Sequence, residues 1–444
     1  PSNIMRMLHI VTLALVSSQL IAAAPAEDPP EGFRALFDGK SLDGWWGAST
    51  EDPRGYLALP PEELAAKKAE SQKDVHAHWS IEDGVLVNDG HGLFLTTDDN
   101  YGDFELRLEY RTVALADSGI YLRGCPQVQI WDTTKAGGKW NIGADKGSGG
   151  LWNNSQGTSG KDPLVHADKP FGEWNGLRVQ MVSVWLNDQL VVEHARLENY
   201  YDRARPAPRE GPIQLQTHGG EIRWRNVWLH EIDATEANAI LRAPKLGGAK
   251  KPARDTEFVE IFNGKDLSGW SGPLDGYQVE DGALLCKPGN GGTIFWDHEL
   301  GDFEVELEIN LPPGGNNGLA LRYPGQGDTA YTGMCELQVI DSSAAKYEGL
   351  EPRQHHGSVY GQVAAERGYL RAPGSWNFQR VTVKGPWITV ELNGTRILHA
   401  DTSKVTDFMY AAEKFAGRGR ERGFFGLAGH NDPVRFRHLR IREL

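Results

Sequence analysis

The sequence predicts an all-β protein of two tandem β-sandwich domains, the first carrying a short helical insertion. Three observations predict it: the chain repeats itself, its apolar residues alternate with period two, and its composition favours tight turns. At 444 residues the chain is too long for one ordinary core, and domains of about 100–200 residues give two or three units. The 53 glycines and 14 tryptophans suit short strands joined by turns, with rings left for packing or for stacking on sugars. A net charge of −14 opposes a phosphate-tracking surface, so nucleic acid is not an expected partner.

Taken from the N-terminus, Arg6 precedes an apolar run from Met7 to Ile21, and Ala24-Pro25-Ala26 supplies an A-x-A site. This is the pattern of an export signal over residues 1–26. The run falls short of the roughly 20 apolar residues a spanning helix needs, so no stable membrane insertion is expected after cleavage. A secreted or periplasmic location follows. The duplication comes next: Phe37-Asp38-Gly39-Lys40-Ser41-Leu42-Asp43-Gly44-Trp45 recurs as Phe262-Asn263-Gly264-Lys265-Asp266-Leu267-Ser268-Gly269-Trp270. Glu82-Asp83-Gly84 pairs in the same order with Glu280-Asp281-Gly282, Gly102-Asp103-Phe104-Glu105 with Gly301-Asp302-Phe303-Glu304, and Trp174-Asn175 with Trp376-Asn377. The copies span 31–232 and 257–444, joined by a linker over 233–256 that contains the Pro-, Gly- and Lys-rich stretch Ala243–Pro252.

The offset between copies falls from 225 at Trp45/Trp270 to 199 at Asp103/Asp302, so the first copy holds an insertion. Within it Pro60–Glu70, with proline first, early acids and good helix formers, predicts one short surface helix. Elsewhere the period is two. Phe104–Tyr110 and Phe303–Ile309 alternate apolar and charged residues as half-buried antiparallel strands do, and Asn187-Asp188 and Asn393-Gly394 stand at hairpin positions. Many such segments at short spacing imply a sandwich or jelly roll. Cys125, Cys286 and Cys335 lie far apart and indicate neither a zinc knuckle nor a disulfide framework.

Candidate functional residues are those that recur on the face opposite the apolar one. Arg123 and Arg322 close the strand-like runs that start at Gly119 and Gly318, and Gln129 and Gln338, each three residues ahead of an aspartate, Asp132 and Asp341, oppose apolar neighbours. A long amide beside an arginine offers sugar hydroxyls both acceptors and donors. His218 and His430 each stand five residues before an arginine, Arg223 and Arg435. A solvated polar face is the bland alternative. His356 and Tyr360 occupy a polar loop of the second copy, where the first offers Asn153 and Asn154. A histidine there can move a proton near neutrality, can hold a divalent ion with Asp341 and Glu336, or can be structural; spacing leaves the three open. No nucleophile elbow, zincin, P-loop or dinucleotide fingerprint is present, so no nucleotide cofactor is expected.

The motifs at 262–270, 336–341, Gln354–Gly361 and 429–437 together resemble the bacterial family named for 3-keto-disaccharide hydrolase, across nearly all of both copies. The resemblance implies a concanavalin A-like jelly roll and 3-keto-glucoside lyase activity with hydration of the resulting 3-keto-2-hydroxyglucal. It places Arg322, Glu336, Gln338, Asp341, His356, Tyr360, His430 and Arg435 in the second pocket. In the first it places Arg123, Gln129, Asp132, Asn153, Asn154, His218 and Arg223. Proton transfer is expected of His356 or His430, with Glu336 and Asp341 orienting it or ligating a metal, and the arginines and amides binding sugar. Gln127 stands where the second copy has Glu336, so the copies differ. A ketone at C3 acidifies the proton at C2, so a modest base suffices and paired glycosidase carboxylates are not required. A non-catalytic carbohydrate-binding module or lectin is the alternative.

Overall fold

The computed structural model of the chain describes residues 27–180, 183–243 and 257–444; residues 1–26, over which an export signal is expected, and the stretch 244–256 lie outside them. Each copy folds as a sandwich of one five-stranded and one eight-stranded antiparallel sheet. In the first copy the smaller, inner sheet runs Trp45–Ala48, Phe94–Thr97, Gln214–Leu215, Asp117–Tyr121, Gln127–Trp131 in space. The second repeats this order with Trp270–Ser271, Gly292–Leu300, Gly423–Gly429, Asn316–Tyr323 and Cys335–Ile340. The core lies between the sheets because every second residue turns inward: Leu319 and Leu321 meet Leu337 and Val339 there, as Ile120 and Leu122 meet Val128 and Ile130.

The repeated motif has a structural purpose in both copies. Asp38 and Asn263 each accept hydrogen bonds from the backbone two and three residues on, and the indole N–H of Trp45 and Trp270 closes the turn on Leu36 O and Ile261 O, both at 2.8 Å. The hairpins form as the spacing predicts. Asn187 and Asp188, like Asn393 and Gly394, take positive φ, the conformation a two-residue turn matching strand twist demands.

Two segments differ from expectation. The insertion helix runs from Pro61 to His78, with a shorter helix at Pro53–Leu57 before it. It extends beyond Glu70 because its later turns seal a sheet edge: Ser71 Oγ accepts from Gly47 N at 2.9 Å, and Gln72 donates to Trp45 O at 2.9 Å. In the linker, residues 234–242 form a helix ahead of the Pro-, Gly- and Lys-rich stretch, capped by Asp233, whose carboxylate accepts from Thr235 N and Glu236 N. This helix docks on the outer sheet of the second copy, where Arg440 and Arg380 donate to Arg242 O and Leu241 O. All three cysteines are free and buried.

Candidate active site

The site is built on the inner sheet of the second copy, on the face turned away from the core. Glu336 and Gln338 project there from Cys335–Ile340, and His430 follows directly on Gly423–Gly429, with Asn316–Tyr323 between them. That intervening strand carries Gly318, whose missing side chain is the condition for contact: a Cβ at Gly318 would overlap the Glu336 carboxyl. Glu336 Oε1 therefore crosses the strand to meet His430 Nε2 at 2.9 Å. This hydrogen bond, opposed by burial and reinforced by the charges of Glu336, Asp328 and Asp432, holds the His430 pKa above its ordinary value. Gln338 Nε2 donates to Asn316 Oδ1 at 2.7 Å beside the pair.

These side chains share a cavity of about 290 Å³ with Asp328, Tyr331, Tyr347, Gln354 and Tyr360. The turn Thr329–Thr332 reaches over the sheet because the floor is small: Gly318, Ala320, Gly426 and Ala428 face it. Tyr360 N bonds to Glu336 O at 3.0 Å, which fixes the ring in the cavity wall, and burial raises its hydroxyl pKa so that it stays a donor. Glu336, itself almost wholly buried, accepts from His430 Nε2–H, which leaves Nδ1 free to take a proton.

The first copy answers with a rearranged set. Gln127 stands at the position of Glu336, and Asp117 at that of Asn316, as the pairings Asp117↔Trp131 and Asn316↔Ile340 show. His218 consequently bonds Asp117 Oδ2 through Nδ1 at 2.8 Å, leaving Nε2 free. Gln129 donates to Asp117 Oδ1 at 2.8 Å, and Lys139 Nζ lies 2.9 Å from Oδ2. The floor is also filled: Tyr121, Gln214 and Gln216 replace Ala320, Gly426 and Ala428.

Several assignments made from sequence are corrected by this geometry. Arg322 is buried at 1 % exposure and donates to the carbonyls of Gly301, Gly385 and Arg420 and to Asp302, clamping one end of the sandwich rather than binding sugar. Arg123 does the same with Gly102 O and Asp103. Arg435 pairs with Glu280 and Arg223 with Glu221 and Glu82, and both arginines lie on outer sheets. His356 is enclosed between the sheets, its Nε2 2.8 Å from Gln379 and its Nδ1 accepting from Ile340 N; burial drives its pKa down to about 4. It is structural, and Ser148 takes its place in the first copy, where Gly149 N meets Gln129 O as Gly357 N meets Gln338 O. Asp341 caps Gly314 N and Ser343, and Asp132 caps Leu115 N and Thr134 N, so neither orients a histidine. Asn153 accepts from Gln127 N, and Asn154 spans Arg196 O and Glu198 N; both are loop staples. The donors named for a divalent ion do not converge, since Asp341 and His356 face away from Glu336, and the described residues hold no group of three or more His, Cys, Asp or Glu placed to bind a metal.

Sequence reasoning missed Asp117, Asn316, Lys139, Asp328, Tyr331 and Gln354. Asp117 and Asn316 were findable, because each stands two residues before the glycine that lets the site close and so shares its face. Lys139 and Asp328 arrive on loops, which alternation does not read.

Fold and cavity together define a carbohydrate-active β-sandwich. Residues 32–230 and 257–442 each match the family described as the 3-keto-alpha-glucoside-1,2-lyase-like domain. The chain belongs to that family, with two copies of its domain in tandem. A 3-keto-disaccharide hydrolase of Bacteroides thetaiotaomicron is 24 % identical over 252 residues, covering 48 % of this chain and 87 % of that protein. Among solved structures, a Parabacteroides distasonis protein assigned to the glycosyl hydrolases is 25 % identical over 42 % of this chain and all of its own, with a TM-score of 0.38. A carbohydrate-binding module of Bacillus subtilis is 14 % identical over 39 % of this chain and 96 % of its own, with a TM-score of 0.27.

Proposed function

We propose that the second copy cleaves 3-keto-glycosides, with His430 as the base that removes the C2 proton. The observation that carries this reading is the Glu336–His430 pair, bonded through Nε2, in the lining of a cavity. The pair of electrons left at C2 moves onto the C3 carbonyl oxygen, where the Tyr360 hydroxyl is a suitable donor. When the carbonyl re-forms, a C1=C2 double bond takes its place, the C1–O bond breaks, and the aglycone leaves with the proton His430 collected. Addition of water across C1=C2 completes a net hydrolysis. No oxocarbenium ion forms, so a pair of carboxylates at glycosidase spacing is not required. Gln338, Asn316 and Gln354 offer the mixed donors and acceptors that sugar hydroxyls need. The export-signal pattern ahead of Glu27 supports action outside the cytoplasm.

The test compares a 3-keto-glucoside with its unoxidised parent. Turnover of the keto sugar alone, reduced about 10²–10⁴-fold by His430→Ala with binding little changed, is the expected result. Binding without turnover would identify a carbohydrate-binding module instead, and cleavage of the parent an ordinary glycosidase.

A further inference from the structure

We propose that the first copy is a separate sugar site, selective for an anionic sugar of the uronic acid class, built on Lys139, His218 and Asp117. The two copies share a fold and a histidine but differ in charge. Around His430 stand Glu336, Asp328 and Asp432, with no basic side chain lining the cavity. Beside His218 stand Asp117 and Lys139. There two cationic groups share one anion, so a positive charge is left over whenever His218 is protonated. Protonation is favoured, since the bond to Asp117, opposed by burial and by Lys139, raises the His218 pKa. Asp117 stays ionised, because the hydrogen bonds from His218 and Lys139 outweigh the burial that would push its pKa up.

Both cations are reachable. The side chains of Lys139 and His218 are 36 % and 57 % exposed, whereas Asp117, at 12 %, lies beneath them. A carboxylate arriving from solvent thus meets the lysine and the imidazole before the aspartate. The loop beside the strand adds to the contrast. Trp152 stands where the second copy has Tyr360, each bonded through its N–H to the strand carrying Gln127 or Glu336. The Lys161 ammonium lies over the Trp152 ring and bonds Trp152 O instead of a carboxylate. Coulombic selection of this kind decides between otherwise similar sugars, because the same carboxylate that gains at Lys139 is repelled by the three acids around His430.

Turnover of an oxidised sugar tests the second copy alone. Here the probes are unoxidised methyl β-glucuronide and methyl β-glucoside, added to the full chain while the histidine Cε1–H resonances are followed by NMR and binding by calorimetry. The glucuronide is expected to move the His218 resonance and leave that of His430 in place, and to bind more tightly than the glucoside. Lys139→Gln should weaken glucuronide binding about tenfold, and Lys139→Arg should restore it, which separates charge from misfolding. Glucuronide that moves His430 instead, binds Lys139→Gln as it binds the natural chain, or does not bind at all overturns the proposal.

Discussion

His430 can act as a base only while Nδ1 is unprotonated, and the neighbouring Glu336 makes that state harder to reach at low pH. Turnover should therefore rise with pH along a limb set by a pKa above the ordinary histidine value of about 6.5. Glu336→Gln removes the charge that raises it, so the limb should shift to lower pH while the maximal rate falls, as a pH–rate profile of both proteins will show. His356 titrates in the opposite sense and affects stability instead. Its folded pKa of about 4 lies below the value of about 6.5 for an unfolded chain, so the unfolded state binds the proton first. Stability is then full above pH 6.5 and declines as the pH falls towards 4, by about 3 kcal/mol in all. Urea unfolding at neutral and mildly acid pH should reveal this loss, and His356→Gln should flatten it. Polar residues at recurring positions were legible in the sequence, but buried and exposed histidines look alike there, because what separates them is the sheet packed on top.

Strand Asn316–Tyr323 shows how an element decides a residue's fate. Alternation places Gly318, Ala320 and Arg322 on one face, and the first two do face the cavity. A bulge between Ala320 and Tyr323, with Arg322 at φ 46°, breaks the alternation and swings the guanidinium into the end of the sandwich. Arg123, at φ 54°, is turned in the same way. Gly318 provides the element-scale prediction. Gly318→Ala should drive Glu336 off His430 and lower turnover of a 3-keto-glucoside about 10–100-fold with an unchanged circular dichroism spectrum. Gly119→Ala, which crowds Gln127 in the other copy, should leave that turnover alone.

Across the whole molecule the copies are held together by more than their linker. Arg371 of the second copy reaches Asp103 of the first at 3.1 Å, Arg196 meets Glu366 at 2.7 Å, and Tyr369 donates to Leu197 O at 3.2 Å. Arg242, on the docked linker helix, pairs with the fully buried Glu308. Cutting the chain within 244–252 should consequently yield two folded all-β halves that still elute together in size exclusion at low salt. Arg371→Ala combined with Arg242→Ala should separate them. Halves that part without these substitutions would show the interface to be too weak to hold.

The duplication, the strands and the hairpins were determined by the sequence itself, because turn chemistry and period-two alternation are local and each copy repeats them; Glu336, Gln338, Tyr360 and His430 were named there through the family resemblance, and the fold brings them to one cavity. Only the tertiary structure decided which polar residues meet. Arg322 and His356 lost their assigned roles to a bulge and to a covering sheet, and the acid partner of the histidine changed strands between copies, from Glu336 to Asp117. Such contacts join strands that are distant in the chain, and alternation reports the face of a residue but not what lies across from it.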